Sequence, residues 1–385
     1  SVKRIGSMAH FIRTLEAEGT LDRQVENLPS EAELSERKSR GLGLTRPELA
    51  VLLSYDKIRL YQQLLDSDVP EDPYLSKELV RYFPAPLHEK YAEHMQRHRL
   101  KREIISTVVT NSTINRMGAT FMMRMQEDTG KGPAAIAKAY TAAREILDAR
   151  TLWAQIEALD SKVAEDTQMD AIKQVWSLLR HMTRWLLNRP GGSLDIADNV
   201  ARYHDGVSAL RDVLPAVLTP TGQGDFSCTQ EKWEGLGMPA ELSLRLARMP
   251  DLRAALDMVE VSQQSGQPMD AVARVFFELG EALDLEWLRG QIEALPVDGH
   301  WHAQARGSLL DELNHQHRAL ALQVLALAGG RTAGVSPVQA WLQRDDATLQ
   351  HTRSMLAEIL TQNADYPIAS VAVRRLAQLA QVPVD

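Results

Sequence analysis

The stretch TRPELAVLLSYDKI, residues 45–58, carries the signals of a helix with a defined start. The hydroxyl of Thr45 can accept a hydrogen bond from the third helical amide, while the Glu48 carboxylate reaches back to the amide of Thr45, which makes a capping box. Pro47 fits here because amides in the first helical turn have no acceptor within the helix. The stretch therefore predicts a helix that begins directly after Thr45.

Similar starts and helical periodicity recur along the rest of the chain. Ser30 and Ser336 each precede a stretch with the same capping pattern. Residues 106–110 are the best strand candidate because of their branched side chains, but they continue a charged, periodic run and are assigned to helix. Two apolar stripes recur at about 100° per residue: Ile136, Tyr140, Ala143 and Leu147 in one, and Ile172, Trp176, Leu179, Thr183 and Leu186 in the other.

Further helices are predicted at about 300–328, 345–363 and 367–381, and strand-like alternation is weak throughout. The predicted fold class is all-α, an irregular multi-helix bundle in two lobes with no substantial sheet. The sequences RPGG at 189–192 and TPTGQGD at 219–225 favour turns over helix. The predicted organisation is an N-terminal helical connector (1–40), a first helical lobe (41–189), a Pro/Gly-rich hinge with a helix (190–226) and a second helical lobe (227–385).

The composition is that of an ordinary globular chain. Of 385 residues, 44% are hydrophobic and 24% are charged, and this length suits two domains or one large helical body. The longest apolar run, residues 319–328, is interrupted by Gln323 and is shorter than the roughly 20 residues that a transmembrane helix needs. The net charge is −8, and its 43 basic and 51 acidic side chains form no cationic stripe. We expect no membrane span and no nucleic-acid partner.

The single cysteine and the N-terminal residues indicate where the protein resides. Cys228 alone excludes an internal disulfide framework and a cysteine-rich zinc site, which is typical of a reducing compartment. We therefore expect a cytoplasmic protein. Residues 1–10 contain no initiator methionine and no signal-peptide pattern, so we expect that the chain was cut from a longer one.

Two glycine-rich segments match the dinucleotide-binding fingerprint in a degenerate form. They are GKGPAA at residues 130–135 and GLGMPA at residues 235–240. Each follows a polar, helix-like stretch, whereas a Rossmann unit places its glycines directly after a buried strand. Both are interpreted as helix-to-helix turns in which proline starts the next helix. The sequence therefore predicts no cofactor site in this chain.

Histidines and nucleophiles provide no catalytic or metal site in this interpretation. His94 and His98 share a helix face, but the basic side chains at 97–102 oppose a dication. The histidine pairs at 300/302 and 315/317 point about 160° apart on a helix, so a metal site would need one of each pair plus ligands from elsewhere. Cys228 lies in a polar segment, interpreted as a loop, with no histidine nearby in sequence. No catalytic and no metal-binding residue is predicted.

The segment from Leu100 to Met122 supplies the candidate contact site. Burying an unpaired amide costs on the order of 1–3 kcal/mol, so amides on an apolar stripe need specific partners. Such a stripe is compatible with an internal hydrogen-bond clamp between helices, with a docking surface for another domain or subunit, or with a polar ligand cleft. The stripe spans about 80° of a helical wheel and comprises Leu100, Ile104, Val108, Asn111, Asn115, Gly118 and Met122.

Four residues are the predicted inter-helix or inter-domain contact: Asn111, Asn115, Arg116 and Gly118. The two asparagines place amides on the stripe, and Gly118 leaves room for another backbone to approach. Arg116 lies near the edge of the stripe, from which it can reach a carboxylate.

Several long segments carry a family pattern: residues 43–58, 82–84, 98–105, 111 with 115–121, 184–187, 285–289 and 301–313. Together they resemble the C-terminal helical region of the large bacterial NAD-dependent glutamate dehydrogenases, over nearly all of the chain. Lys101, where arginine is commoner in that family, and Ser112, where an aliphatic residue is usual, depart from the pattern.

The resemblance implies that this chain is the C-terminal part of an enzyme that oxidises L-glutamate to 2-oxoglutarate and ammonia with NAD. The catalytic lysine, the aspartate and the Rossmann domain would lie upstream, and residues 1–40 would connect to them. The resemblance also implies a homo-oligomer, a tetramer, as the assembly. We expect the chain itself to be non-catalytic and to brace the catalytic domain. The alternative is an effector-binding regulatory module that uses the basic segment 97–102 and Arg116.

Overall fold

The structure is a computed structural model that describes residues 4–297, 299–328, 336–344, 346–362 and 364–381. Over these residues the backbone forms twenty α-helices, joined by turns and short 3-10 segments, and no β-strand. The all-α prediction is confirmed. The helices are α1 (Ile5–Ala17), α2 (Glu31–Ser39), α3 (Arg46–Leu65), α4 (Ser76–Tyr82), α5 (His88–Gln96), α6 (Lys101–Met117), α7 (Phe121–Thr129), α8 (Pro133–Ile146), α9 (Ala149–Glu157), α10 (Glu165–Asn188), α11 (Ile196–Val217), α12 (Pro220–Gly235), α13 (Ala240–Ala247), α14 (Ala255–Ser265), α15 (Met269–Ala282), α16 (Leu285–Ala294), α17 (His300–Ala328), α18 (Pro337–Leu342), α19 (Ala347–Ile359) and α20 (Tyr366–Ala380).

The helices pack into two compact units. Unit 1 comprises Ser1–Arg144 and Leu179–Val200, and unit 2 comprises Glu145–Leu178 and Ala201–Asp385. The chain passes between the units within α8, α10 and α11. The division into connector, first lobe, hinge and second lobe (1–40, 41–189, 190–226 and 227–385) stays a prediction.

Unit 1 is built around α6, which packs against α3 and α4. At its N-terminal side, α1 and α2 share a continuous apolar cluster with the first turns of α3. Phe11 and Ile12 of α1 are fully buried in that cluster, and Met123 of α7 belongs to it. Helices α1 and α2 thus contribute to this unit's core, where apolar burial stabilises them.

Unit 2 is organised around the long helix α17, which packs against α14, α15, α16 and α20. Three residues on its second half, Leu320, Ala321 and Val324, are completely buried. Helices α19 and α20 pack against each other at the C-terminal end. The predicted helices at 300–328, 345–363 and 367–381 are confirmed as α17, α19 and α20.

The predicted helix starts are confirmed in detail. The Glu48 amide donates to Thr45 Oγ1 at 3.4 Å, and the Thr45 amide donates to Glu48 Oε2 at 2.7 Å, so the capping box is complete. Ser30 forms the same box with Glu33, and the hydroxyl of Ser336 caps α18. These contacts involve neighbours in sequence, which is why local pattern was sufficient to find them.

One of the two predicted breaks is confirmed and the other is wrong. α10 ends at Asn188, and the turn at 189–192 contains Gly191 at a φ of +64°. In contrast, residues 220–225 lie inside α12, which extends through Cys228, so neither the turn nor the loop around this cysteine exists. Thr219 caps that helix by accepting from the Gly222 amide, and Pro220 occupies the first helical position, where proline is favoured.

Candidate functional site

The candidate segment forms two helices instead of one. α6 ends at Met117, Gly118 adopts a φ of +85°, and α7 begins at Phe121. The prediction of a single helix from Leu100 to Met122 is therefore wrong. Gly118 adopts a positive φ angle, which interrupts the helix and which residues with a side chain rarely adopt. A Cβ atom added at Gly118 would meet nothing within 4 Å. This glycine is thus a helix terminator and not a point of close backbone approach.

The predicted stripe is not the buried face of α6. Leu100 is 54% exposed, Asn115 is exposed, and Asn111, Arg116 and Gly118 are partly buried. The expectation that both amides are buried was wrong, because α3 and α4 cover a neighbouring face of the helix. The residues on that buried face are Ile104, Ile105, Ser106, Val109, Thr110, Thr113, Ile114 and Met117. The contact with another domain or subunit stays a prediction for the four residues Asn111, Asn115, Arg116 and Gly118.

Ser112 of α6 is hydrogen-bonded to two residues of α8, although sequence reasoning noted it only as a departure from the family pattern. Its hydroxyl oxygen accepts from Arg144 Nη1 at 2.7 Å, and its carbonyl oxygen accepts from the Tyr140 hydroxyl at 2.9 Å. The second Arg144 nitrogen, Nη2, donates to Glu78 Oε1 at 2.8 Å. One arginine of α8 thereby joins α4 and α6.

The Arg144–Glu78 pair is shielded from solvent. The side chains are 2% and 4% exposed, and Arg81 also reaches Glu78 Oε1 at 3.3 Å. A buried ion pair is tolerated only where hydrogen bonds satisfy both partners, and removing one partner leaves an uncompensated charge. Sequence reasoning missed this pair because its members lie 66 positions apart. The pair therefore fixes how α4, α6 and α8 pack.

Asp56, on the buried face of α3, lies in an apolar environment. This side chain is 2% exposed, and burial raises the pKa of its carboxyl to about 8, although Arg59 acts in the opposite direction. Among the described residues its Oδ2 atom has no hydrogen-bond partner. Its neighbours on the helix face are Leu52, Leu60 and Leu64, four and eight residues away. An acid at this spacing among leucines is a sequence signal that could have identified it.

The basic segment at 97–102 is bound mostly to its own surroundings. Arg102 donates to Glu71 and to the Leu65 carbonyl at 2.5 Å, so it ties the start of α6 to the end of α3. Arg97 lies 4.0 Å from Glu93, with both side chains more than four-fifths exposed. The Nδ1 atom of His98 accepts from the Leu100 amide at 3.1 Å. This arrangement fits a helix-joining basic face better than a ligand cleft.

Unit 2 contains a buried histidine, His317, which the sequence suggested only as one member of a histidine pair. His317 of α17 donates from Nε2 to the Phe276 carbonyl at 3.0 Å, and its ring lies over the Phe276 ring with centroids 3.7 Å apart. Burial lowers the pKa of His317 to about 3, and Arg289 contributes to this lowering. This histidine is therefore neutral at physiological pH and belongs to the core.

The two glycine-rich motifs lie in turns between helices, as the sequence predicted. Residues 130–132 link α7 to α8, which begins at Pro133, and residues 236–239 link α12 to α13. Gly130 and Gly237 have positive φ angles, as helix-to-helix turns require. Across the described part of the chain, no group of three or more His, Cys, Asp or Glu side chains is arranged to hold a metal ion. Over the same residues no helix combines the length and hydropathy of a membrane span.

Comparisons with known proteins place the chain in a family. The family model described as "Glutamate dehydrogenase, C-terminal" matches residues 41–378. The chain belongs to this family. The resemblance inferred from the sequence motifs is thereby confirmed, and these helices are the fold of a glutamate dehydrogenase C-terminal region.

Three curated relatives share the name NAD-specific glutamate dehydrogenase. The protein of Pseudomonas aeruginosa is 39% identical over 380 residues, which cover 98% of this chain and 24% of the relative. The protein of Halomonas elongata is 36% identical and covers 98% and 23%, and that of Mycobacterium tuberculosis is 27% identical and covers 96% and 23%. The chain thus spans about a quarter of the length of these relatives.

Proposed function

We propose that this chain works as the C-terminal helical region of an NAD-dependent glutamate dehydrogenase, which it braces and helps to assemble. The observation that supports this proposal is the match to NAD-specific glutamate dehydrogenases over 98% of the chain. In that role the parent enzyme oxidises L-glutamate to 2-oxoglutarate and ammonia and passes a hydride to NAD. The NAD site belongs to the rest of the polypeptide, and the enzyme acts in the cytoplasm.

The chain's own part in this function is structural. Its glycine-rich motifs are helix-to-helix turns, and polar groups of unit 1, such as the partly buried Ser112 and the buried Arg144, bind each other across helices. Such contacts hold the helices of unit 1 in one arrangement, which gives that unit a fixed surface. The proposed partners of that surface are the catalytic domain of the same polypeptide and a neighbouring subunit of a homo-oligomer. The surface assigned to that contact is the C-terminal part of α6 and the turn after it, with Asn111, Asn115, Arg116 and Gly118.

An Asn115→Leu substitution in the intact enzyme tests the proposed contact. We expect a lower melting temperature or a shift in oligomeric mass, together with slower glutamate-dependent formation of NADH. The matched control is Gln350→Leu, which replaces another exposed amide on helix α19. If Asn115→Leu leaves all three measurements unchanged, as Gln350→Leu should, the contact assignment is wrong. Turnover of glutamate and NAD by the 385-residue chain alone would overturn its non-catalytic role.

An effector-binding regulatory module is the second candidate function. Its support in the sequence is the basic segment at 97–102 together with Arg116. Calorimetric titration separates the two candidates, because a pure scaffold gives no saturable heat with small metabolites.

A further inference from the structure

A groove on the surface of unit 2 runs between the first half of α17 and the first turns of α20. Its volume is about 710 Å³, which lies within the range of sites that bind small organic ligands. The two helices pack against each other inside unit 2, so the groove belongs to one folded unit. We name it the α17–α20 groove, and the residues that line it include Trp301, His302, Leu309, Glu312, Tyr366 and Ser370.

One face of α17 extends along the whole length of the groove. Trp301, Ala305 and Glu312 line it, and their spacing of four and then seven residues places them on the same helix face. At 1.5 Å per residue, the backbone positions of Trp301 and Glu312 are about 16 Å apart along the helix axis. The groove therefore suits an extended ligand better than a compact one.

The end of the groove nearest the start of α17 is aromatic. Trp301 is 80% exposed, so a ligand can reach its ring. The rings of His302 and Tyr366 are stacked, with centroids 5.2 Å apart and an angle of 19° between their planes. The Tyr366 hydroxyl lies 2.9 Å from the Pro296 carbonyl oxygen and 3.0 Å from the His302 carbonyl oxygen, so hydrogen bonding fixes this ring in place. An aromatic face attracts a cation that lies within about 6 Å of its centre.

The opposite end of the groove carries a carboxylate. Glu312 is exposed, and its Oε1 atom accepts from the Gln316 side chain at 2.5 Å, a neutral donor that leaves the negative charge in place. No lysine and no arginine is among the described residues that line the groove. Arg306, next to Ala305 in sequence, donates to the Glu293 carbonyl oxygen at 3.3 Å. The charge of the groove therefore favours cations over anions.

We propose that the α17–α20 groove binds a linear polyamine, a chain of methylene groups with an ammonium group at each end. One terminal ammonium lies over the aromatic end of the groove, and the other pairs with the Glu312 carboxylate. The methylene groups between them cover Ala305 and Leu309. A ligand with a single cation reaches only one end of the groove, so the spacing favours a ligand with two. This binding activity goes beyond the structural role proposed above and does not depend on it.

Calorimetric titration of the 385-residue chain with spermine at low ionic strength tests the proposal. We expect one saturable site, with affinity that falls as salt is added. Glu312→Gln should weaken binding by about ten-fold, since it removes the carboxylate charge and keeps the shape of the side chain. The matched control, Glu89→Gln, removes the same charge from an exposed position on α5 in unit 1 and should leave the affinity unchanged.

Two substitutions of Trp301 test the aromatic end. Trp301→Ala should weaken spermine binding by about five-fold, and Trp301→Phe should recover most of that loss, because a smaller ring still presents a face to an ammonium group. Trp301 and Glu312 are both exposed, so these variants should fold, and unchanged melting temperatures would verify this. The absence of saturable heat with spermine overturns the proposal, as does binding that Trp301→Ala and Glu312→Gln leave intact.

Putrescine, a shorter diamine, tests whether one ligand reaches both ends of the groove. It should bind more weakly than spermine and lose affinity in no more than one of the variants Trp301→Ala and Glu312→Gln. Putrescine that binds as tightly as spermine would contradict a ligand that spans the groove. Sedimentation of the same variants tests another occupant, a second copy of the chain. A change in their oligomeric mass without a change in spermine affinity would assign the groove to contacts between copies and overturn the proposal.

Discussion

Each of the two units buries an ionisable side chain that is neutral at physiological pH, but the two side chains become neutral in opposite ways. In unit 1, Asp56 on α3 keeps its proton, because burial raises its pKa to about 8. In unit 2, His317 on α17 has lost its proton, because burial lowers its pKa to about 3. The same physical cause, the cost of a buried charge, therefore gives an acid and a base opposite pH responses.

The Arg144–Glu78 pair is the third way in which a buried group avoids that cost. Here both groups stay charged and satisfy each other at 2.8 Å. An ionised side chain is thus buried in this protein where a partner of opposite charge contacts it. Where no such partner faces it, the group is neutral instead.

The largest expected effect comes from breaking this pair. Arg144→Met leaves the Glu78 carboxylate buried, with the half-exposed Arg81 still 3.3 Å away, and should cost about 3–5 kcal/mol of unfolding free energy. Urea denaturation at pH 7 measures this loss. The matched control is the double variant Arg144→Met with Glu78→Met, which removes both charges and should recover most of the stability. A double variant as unstable as the single one would show that shape, not charge, controls this site.

The second-largest expected effect is the dependence of the unfolding free energy on pH that Asp56 causes. Its folded pKa of about 8 lies above its unfolded value of 3.8, so between these values the folded state binds more protons than the unfolded state. Stability contributed by this group is complete below about pH 4 and falls by up to about 1.4 kcal/mol per pH unit as pH rises to about 8. Asp56→Asn cannot ionise and should remove that slope.

Urea denaturation of both chains from pH 5 to pH 8 checks this prediction. Asp56→Asn should be more stable than the unsubstituted chain by about 1–2 kcal/mol at pH 5, and this difference should grow by up to about 1.4 kcal/mol per pH unit towards pH 8. Asp66→Asn serves as the control, because Asp66 is exposed at the end of the same helix. Parallel pH profiles for Asp56→Asn and the unsubstituted chain would mean that Asp56 is ionised in the fold.

His317 should make the unfolding free energy change with pH in the opposite direction. Its folded pKa of about 3 lies below its unfolded value of 6.5, so in this window the unfolded state binds more protons. Stability from this group is complete above about pH 6.5 and falls by up to about 1.4 kcal/mol per unit as pH drops towards 3. His317→Gln keeps a donor for the Phe276 carbonyl and should lose this acid sensitivity, at some cost in ring packing. The exposed His315 on the same helix supplies the control, His315→Gln. If the acid slope persists in His317→Gln, other groups cause it.

The sequence alone predicts those contacts whose two partners lie close together along the chain. The caps at Thr45 and Ser30 were predictable because donor and acceptor lie three residues apart. The stripe of Ile136, Tyr140 and Ala143 was also correct, since helical periodicity alone identifies a buried face. The buried Asp56 was detectable by the same rule but was overlooked among the leucines of its face.

Other features depend on which helix packs where, and sequence could not supply that. The candidate stripe on α6 failed because a helical wheel has no information on which of its faces meets α3 and α4. Arg144 and Glu78, like His317 and Phe276, are brought together by tertiary packing across 66 and 41 positions. Gly118 was placed inside a helix because the wheel assumes that the helix continues.

The smallest expected effect concerns the packing around His317. A Cβ atom at Gly280 of α15 would lie 3.5 Å from His317 Cε1, which is ordinary van der Waals contact. Gly280→Ala should therefore raise the unfolding free energy by up to about 1 kcal/mol, because alanine favours a helix interior over glycine. The matched control is Gly206→Ala in α11, where the added Cβ would lie 2.7 Å from Val259 Cγ2 and force a shift. Melting temperatures should move in opposite directions for the two variants. A loss of stability in Gly280→Ala would mean that the His317 ring has no room to keep its contact with Phe276. The difference between His317 and Asp56 would then depend on packing as well as on charge.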